Sequence, residues 1–155
     1  MKKTIMLIIT LIFTLSFAIS ATMLELGAID SNNGTIEIWV ETDVDFMGFQ
    51  FDLEGVELTG GSGGIASDYD WDIHASGNTA LGFSLDGLVI PAGSTGLLTI
   101  LNGSIVGDVC LPLVENVGPE DDTPIFSDAD GNALTELSIG LGGCDSLESD
   151  IDIPF

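Results

Sequence analysis

Thr35-Ile36-Glu37-Ile38-Trp39-Val40-Glu41-Thr42 decides the fold class. Apolar and polar residues alternate through it with a period of two, the spacing that sends successive side chains to opposite faces of a strand. Ile36, Ile38 and Val40 share one face, and Glu37, Trp39 and Glu41 share the other. A helical period of 3.6 would scatter both sets around the circumference. The preceding Asn32-Asn33-Gly34 carries the residue types that reverse a chain.

Outward from this strand, short alternating runs recur between clusters of Gly, Asn, Asp, Ser and Pro. Strands are predicted near residues 23–29, 35–42, 49–53, 72–75, 79–85, 96–102, 109–117, 124–127 and 136–141, and no stretch reads as a helix. Gly60-Gly61-Ser62-Gly63-Gly64 reads as loop. Nine short strands at this spacing imply an all-β sandwich.

The N-terminus has a different composition. Lys2 and Lys3 precede an apolar run at residues 4–17, and Ala18-Ile19-Ser20-Ala21 supplies the small residues of a cleavage site. This is the pattern of a secretory signal, with cleavage expected after Ser20 or Ala21. The apolar run is short of the roughly twenty residues that span a bilayer, so no membrane insertion is expected after cleavage. The expected organisation is a signal peptide at 1–21, one β-sandwich domain at 22–144 and an acidic C-terminal tail at 145–155, with the product secreted to the extracellular space or the cell surface.

Beyond Lys3 the sequence contains no Lys or Arg, yet it carries 25 Asp and Glu. Such a surface repels nucleic acid and anionic membranes, excluding both as partners. It also repels itself, so dissolved salt or bound cations should stabilise the fold. Two acidic runs are candidates for a hard cation such as Ca²⁺, which takes several oxygens at once. In Asp68-Tyr69-Asp70-Trp71-Asp72 an extended backbone would set Asp68, Asp70 and Asp72 on one face and both rings on the other. Asp128 and Asp130 begin the second run, which lacks the glycine and the final glutamate of an EF-hand loop. Solvated turns are the alternative for both.

Cys110 and Cys144 are the only cysteines, and an even number in an exported chain favours a disulfide between them. Catalytic chemistry is not expected. His74 is the only histidine, no G-x-S-x-G elbow is present, and the glycine-rich stretch at 60–64 lacks the lysine of a phosphate loop. Among so many carboxylates, none stands out as a glycosidase pair.

Exposed aromatics are the candidates for binding. Trp39 falls on the polar face of the most regular strand, where an amphipathic ring stacks on a sugar, anchors a protein interface, or lies under a neighbouring loop. Tyr69 and Trp71 are candidates of the same kind.

Several segments, in this order, resemble the cohesin-like secreted modules. They are Gly48-Phe49-Gln50-Phe51-Asp52-Leu53, Leu81-Gly82-Phe83-Ser84, and Ile90-Pro91-Ala92-Gly93 leading into residues 97–101. Cys110-Leu111, Phe126-Ser127-Asp128, Asp130-Gly131-Asn132-Ala133-Leu134 and Cys144 complete the likeness, which covers roughly 23–144. The resemblance implies a nine-stranded jelly-roll-like sandwich with a non-catalytic role. That role is docking a dockerin-like partner protein through one sheet face, or adhesion at the cell surface. Relatives in shape hold a polysaccharide, which is the alternative, and a self-assembling surface or virion protein is a third reading.

Overall fold

The computed structural model describes residues 22–111, 125–134, 137–139 and 144–145. The segment read as a signal peptide, the acidic stretch after Asp145 and parts of the last predicted strands lie outside the described residues.

The described chain forms two β-sheets packed face to face. The larger has the order β10-β7-β2-β1-β9, with β4 also paired to β7; the smaller has the order β5-β6-β3-β8. Their strands are β1 (Thr22–Asp30), β2 (Thr35–Thr42), β3 (Gly48–Asp52), β4 (Glu54–Ser62), β5 (Asp72–Ser76), β6 (Thr79–Phe83), β7 (Thr95–Cys110), β8 (Ile125–Ser127), β9 (Leu137–Ile139) and β10 (Cys144–Asp145). Most pairings are antiparallel, whereas β1 and β9 run parallel. The all-β sandwich expected from the alternation is what forms.

Four local expectations fail. Glu54–Ser62 forms a strand, β4, where the sequence predicts none. A short helix, α1 (Gly64–Asp68), follows β4 where none was forecast. Gly60, Gly61 and Ser62 extend β4 instead of forming a loop. The reason lies in packing: a Cβ at Gly61 would come within 2.7 Å of Ile73 and 2.9 Å of Leu101, so glycine lets this strand pass close to both sheets. Gly64 then makes the turn with φ +67°, and a Cβ there would press against the Leu97 and Leu98 carbonyls. Finally, the two strands forecast at 96–102 and from 109 are one 16-residue strand, β7, which pairs with β2 along its first half and with β4 along its second.

The core forms where inward faces meet. Leu24, Ile36, Ile38, Leu98 and Leu101 of the larger sheet meet Phe49, Phe51, Ala80 and Phe126 of the smaller, and all are 2% exposed or less. Each such large side chain contributes about 1.5–3 kcal/mol on burial. Phe46 stands edge-on to Trp71 and to Phe126 with centroids 5.5 and 5.0 Å apart, the favoured geometry for aromatic pairs. At one end of the sandwich the hydroxyls of Thr22 and Thr42 satisfy each other at 2.8 Å, fully buried.

Candidate functional site

The outer face of the smaller sheet is where large apolar side chains reach solvent in order. In β6, Thr79-Ala80-Leu81-Gly82-Phe83, the small residues Ala80 and Gly82 are buried, while Leu81 is 36% exposed and Phe83 is partly exposed. The inversion has a steric cause. Gly82 pairs with Phe49, whose ring occupies the space beneath it, and a Cβ on Gly82 would approach that ring to 2.4 Å. Register therefore fixes Leu81 and Phe83 outward, because a one-residue slip would exchange the two faces.

Cross-strand neighbours complete the surface. His74, Leu81 and Gln50 form one row across β5, β6 and β3; Asp72, Phe83, Gly48 and Ser127 form the next. His74 stacks on Phe83 at 5.7 Å with planes 15° apart. Gly48 leaves a gap in the second row, where even a methyl group would come within 2.8 Å of the Ser127 hydroxyl oxygen. The result is a shallow hollow of about 210 Å³ bordered by Gln50, Leu81, Phe83 and Ser127. Leu85 and Leu88, in the loop after β6, are 78% and 39% exposed.

Trp39 lies on the opposite, larger sheet and is 41% exposed. Its indole leans from β2 across β1 over Gly27, where a Cβ would come within 2.5 Å of the pyrrole edge. The indole N–H donates to the Glu37 carboxylate at 3.0 Å, so the ring is held at its edge.

The other sequence candidates are placed differently. Trp71 is 5% exposed and belongs to the core, with its N–H donating to the Leu88 carbonyl at 2.9 Å. Tyr69 is partly buried against the same core. The stretch from Asp68 to Asp72 is not extended. Asp68 ends α1, Asp70 takes φ +54°, and Asp72 opens β5. The left-handed turn, which Asp tolerates better than most residues, swings Trp71 inward. Burying an indole outweighs the alternation that would have aligned the three carboxylates.

Asp128 closes the loop after β8. Its carboxylate accepts from the Asp130 and Asn132 backbone N–H groups at 2.9 and 2.8 Å and from the Asn132 side-chain amide at 3.1 Å. These bonds, the Asn132 side chain foremost, lower its pKa. Asp30 does the same for the β1–β2 turn, its pKa lowered first by the Asn33 side chain and then by backbone N–H groups of Asn33 and Asn32. Both carboxylates thus have a local turn-closing task. Among the described residues, no group of three or more His, Cys, Asp or Glu side chains is arranged to hold a metal ion. The backbone register sets Cys144 directly opposite Cys110 where β10 pairs with β7.

The sequence matches no family model and no curated protein. In structure, the chain is similar to a type II cohesin domain from the cellulosome of Acetivibrio cellulolyticus, with a TM-score of 0.50 and 14% identity over 82% of this chain and 96% of that one. Two further similar structures come from the adaptor ScaA scaffoldin of the same organism. A type II cohesin dyad matches with a TM-score of 0.48 and 14% identity over 77% of this chain and 46% of that one. The second type II cohesin module with its long C-terminal linker matches with a TM-score of 0.47 and 13% identity over 84% of this chain and 92% of that one. At 14% identity the first of these likenesses speaks to fold alone, and the fold is a cohesin-like two-sheet sandwich.

Proposed function

We propose that this protein is an exported, non-catalytic module that docks a partner protein through the outer face of β5-β6-β3-β8. The observation that carries the proposal is the inverted strand β6, which buries Ala80 and Gly82 and presents Leu81 and Phe83 to solvent. A strand that turns its large apolar side chains outward gives up their burial in the monomer; a partner that covers them restores it. On this face Leu81 and Phe83 form an apolar centre among His74, Gln50, Asp72 and Ser127, with a shallow hollow at Gly48, the form a protein interface takes when one anchoring side chain enters a pocket and neighbours exclude water. Asp72 and Asp52 border it, and no Lys or Arg follows Lys3 in the sequence, so the partner should bring an apolar centre with a basic rim. The cohesin-like fold supports the same reading and points to a dockerin-like partner.

Calorimetric titration of the protein against a panel of dockerin modules tests this. Leu81→Asp is expected to weaken binding by about 2 kcal/mol or more, roughly 30-fold, while leaving the fold unchanged because the side chain is on the surface. Undiminished binding by a folded Leu81→Asp variant would refute the assignment of this face.

A further inference from the structure

Trp39 lies on the sheet facing away from the docking surface, and it is a supported ring instead of a loose one. Gly27 makes room for the pyrrole edge on β1, and Glu37 holds the N–H at 3.0 Å. Glu37 also accepts from the Ala28 backbone N–H at 3.4 Å, so its carboxylate is committed to the strand and to the ring. Beside the indole is a small depression lined by Met23, Glu25, Trp39, Val40, Glu41 and Thr95. Glu25 is the direct cross-strand neighbour of Trp39, and Glu41 lies two residues along on the same face.

We propose that Trp39 and this depression form a binding subsite for a neutral glycan, separate from the protein-docking face. A sugar ring presents C–H groups on its face and hydroxyls at its edge. An aromatic ring fixed against the sheet suits the first. The carboxylates of Glu25 and Glu41 are acceptors for the second, and hydrogen bonds to charged acceptors are the stronger kind. The charge balance selects among glycans: with 25 acidic residues and no Lys or Arg after Lys3, uronate or sulfated chains are repelled. A cationic peptide segment is the competing occupant. It would be attracted to the whole acidic surface and not to this position in particular, and Glu37, the carboxylate nearest the ring N–H, is already engaged.

The test is a titration of the purified protein with neutral hexasaccharides of β-linked glucose, xylose and N-acetylglucosamine, read by tryptophan fluorescence and by backbone amide shifts. Hexalysine is titrated in parallel at low and high NaCl. At least one hexasaccharide is expected to bind independently of salt and to move the amides of residues 23–27 and 37–41. Trp39→Ala should weaken that binding about ten-fold or more, Trp39→Phe should retain part of it, and Leu81→Asp should leave it unchanged. No saturation by any hexasaccharide up to about 10 mM overturns the proposal. So does salt-sensitive hexalysine binding at Trp39 without sugar binding, or sugar binding that survives Trp39→Ala. None of these outcomes bears on docking through Leu81, which is read with a different ligand.

Discussion

Replacing Trp71 by alanine should destabilise the fold by about 3–5 kcal/mol, the range for deleting a large aromatic side chain from a core. The indole is 5% exposed and packs against Phe46 and Phe49 with centroids 5.5 and 6.1 Å away. Those two rings also contact Phe126 on β8, so the void would open in the middle of this aromatic cluster. The indole hydrogen bond adds less. Its acceptor, the carbonyl of Leu88, belongs to a residue 39% exposed, and water can replace the lost donor. Trp71→Phe, which keeps a ring but loses the N–H, should therefore cost only about 1–2 kcal/mol. Urea unfolding followed by circular dichroism gives both numbers, with an unchanged slope showing that the same surface is exposed. For a domain of this size, the alanine variant should melt about 10–15 °C lower. A cost below about 1 kcal/mol for Trp71→Ala would refute the placement of the indole in the core and restore Trp71 as a surface ligand contact.

Two further outcomes concern covalent and ionic stabilisation. Cys110 and Cys144 are partners in the backbone register of antiparallel strands, and we expect a disulfide between them. Paired strands set such residues about 4.5–5.5 Å apart at Cα, within the span a disulfide bridges. Labelling the folded, unreduced protein should find no thiol, and reduction should cost up to about 4 kcal/mol; stoichiometric labelling of both cysteines refutes the bond. NaCl should raise the melting midpoint gradually between about 0.01 and 1 M, since 25 acidic residues face no Lys or Arg beyond Lys3. Asp68, Asp70 and Asp72 do not share a strand face, so CaCl₂ at matched ionic strength should add no more than NaCl. A flat NaCl series would refute the screening argument, and an extra calcium shift abolished by Asp70→Asn would assign a site to this turn.

The sandwich was legible because its strongest strand needs no partner to be read. Ile36, Ile38 and Val40 are 3% exposed or less while Trp39 is 41% exposed, as alternation requires. What stayed hidden depends on contacts between distant segments. Gly60 and Gly61 look like loop composition until β7 and Ile73 are placed beside them, and only then is the missing side chain of Gly61 a packing requirement. Asp68 to Asp72 looks extended until a buried position for Trp71 exists to turn the chain. In both places local composition states a preference and tertiary packing overrides it.

The candidate docking face shows the same limit more sharply. Along Thr79-Ala80-Leu81-Gly82-Phe83, alternation gives two faces but not their direction, and hydrophobicity alone would send Leu81 and Phe83 to the core. Their exposure follows from β3, whose Phe49 and Phe51 fill the interior so completely that only Ala80 and Gly82 fit opposite them. The signal was present as a pair of strands, with large residues buried on one and small ones on its neighbour, and neither strand carries it alone. Trp39 was legible by contrast because one strand sufficed: its neighbours Ile38 and Val40 are committed to the core, which leaves the ring only the outer face.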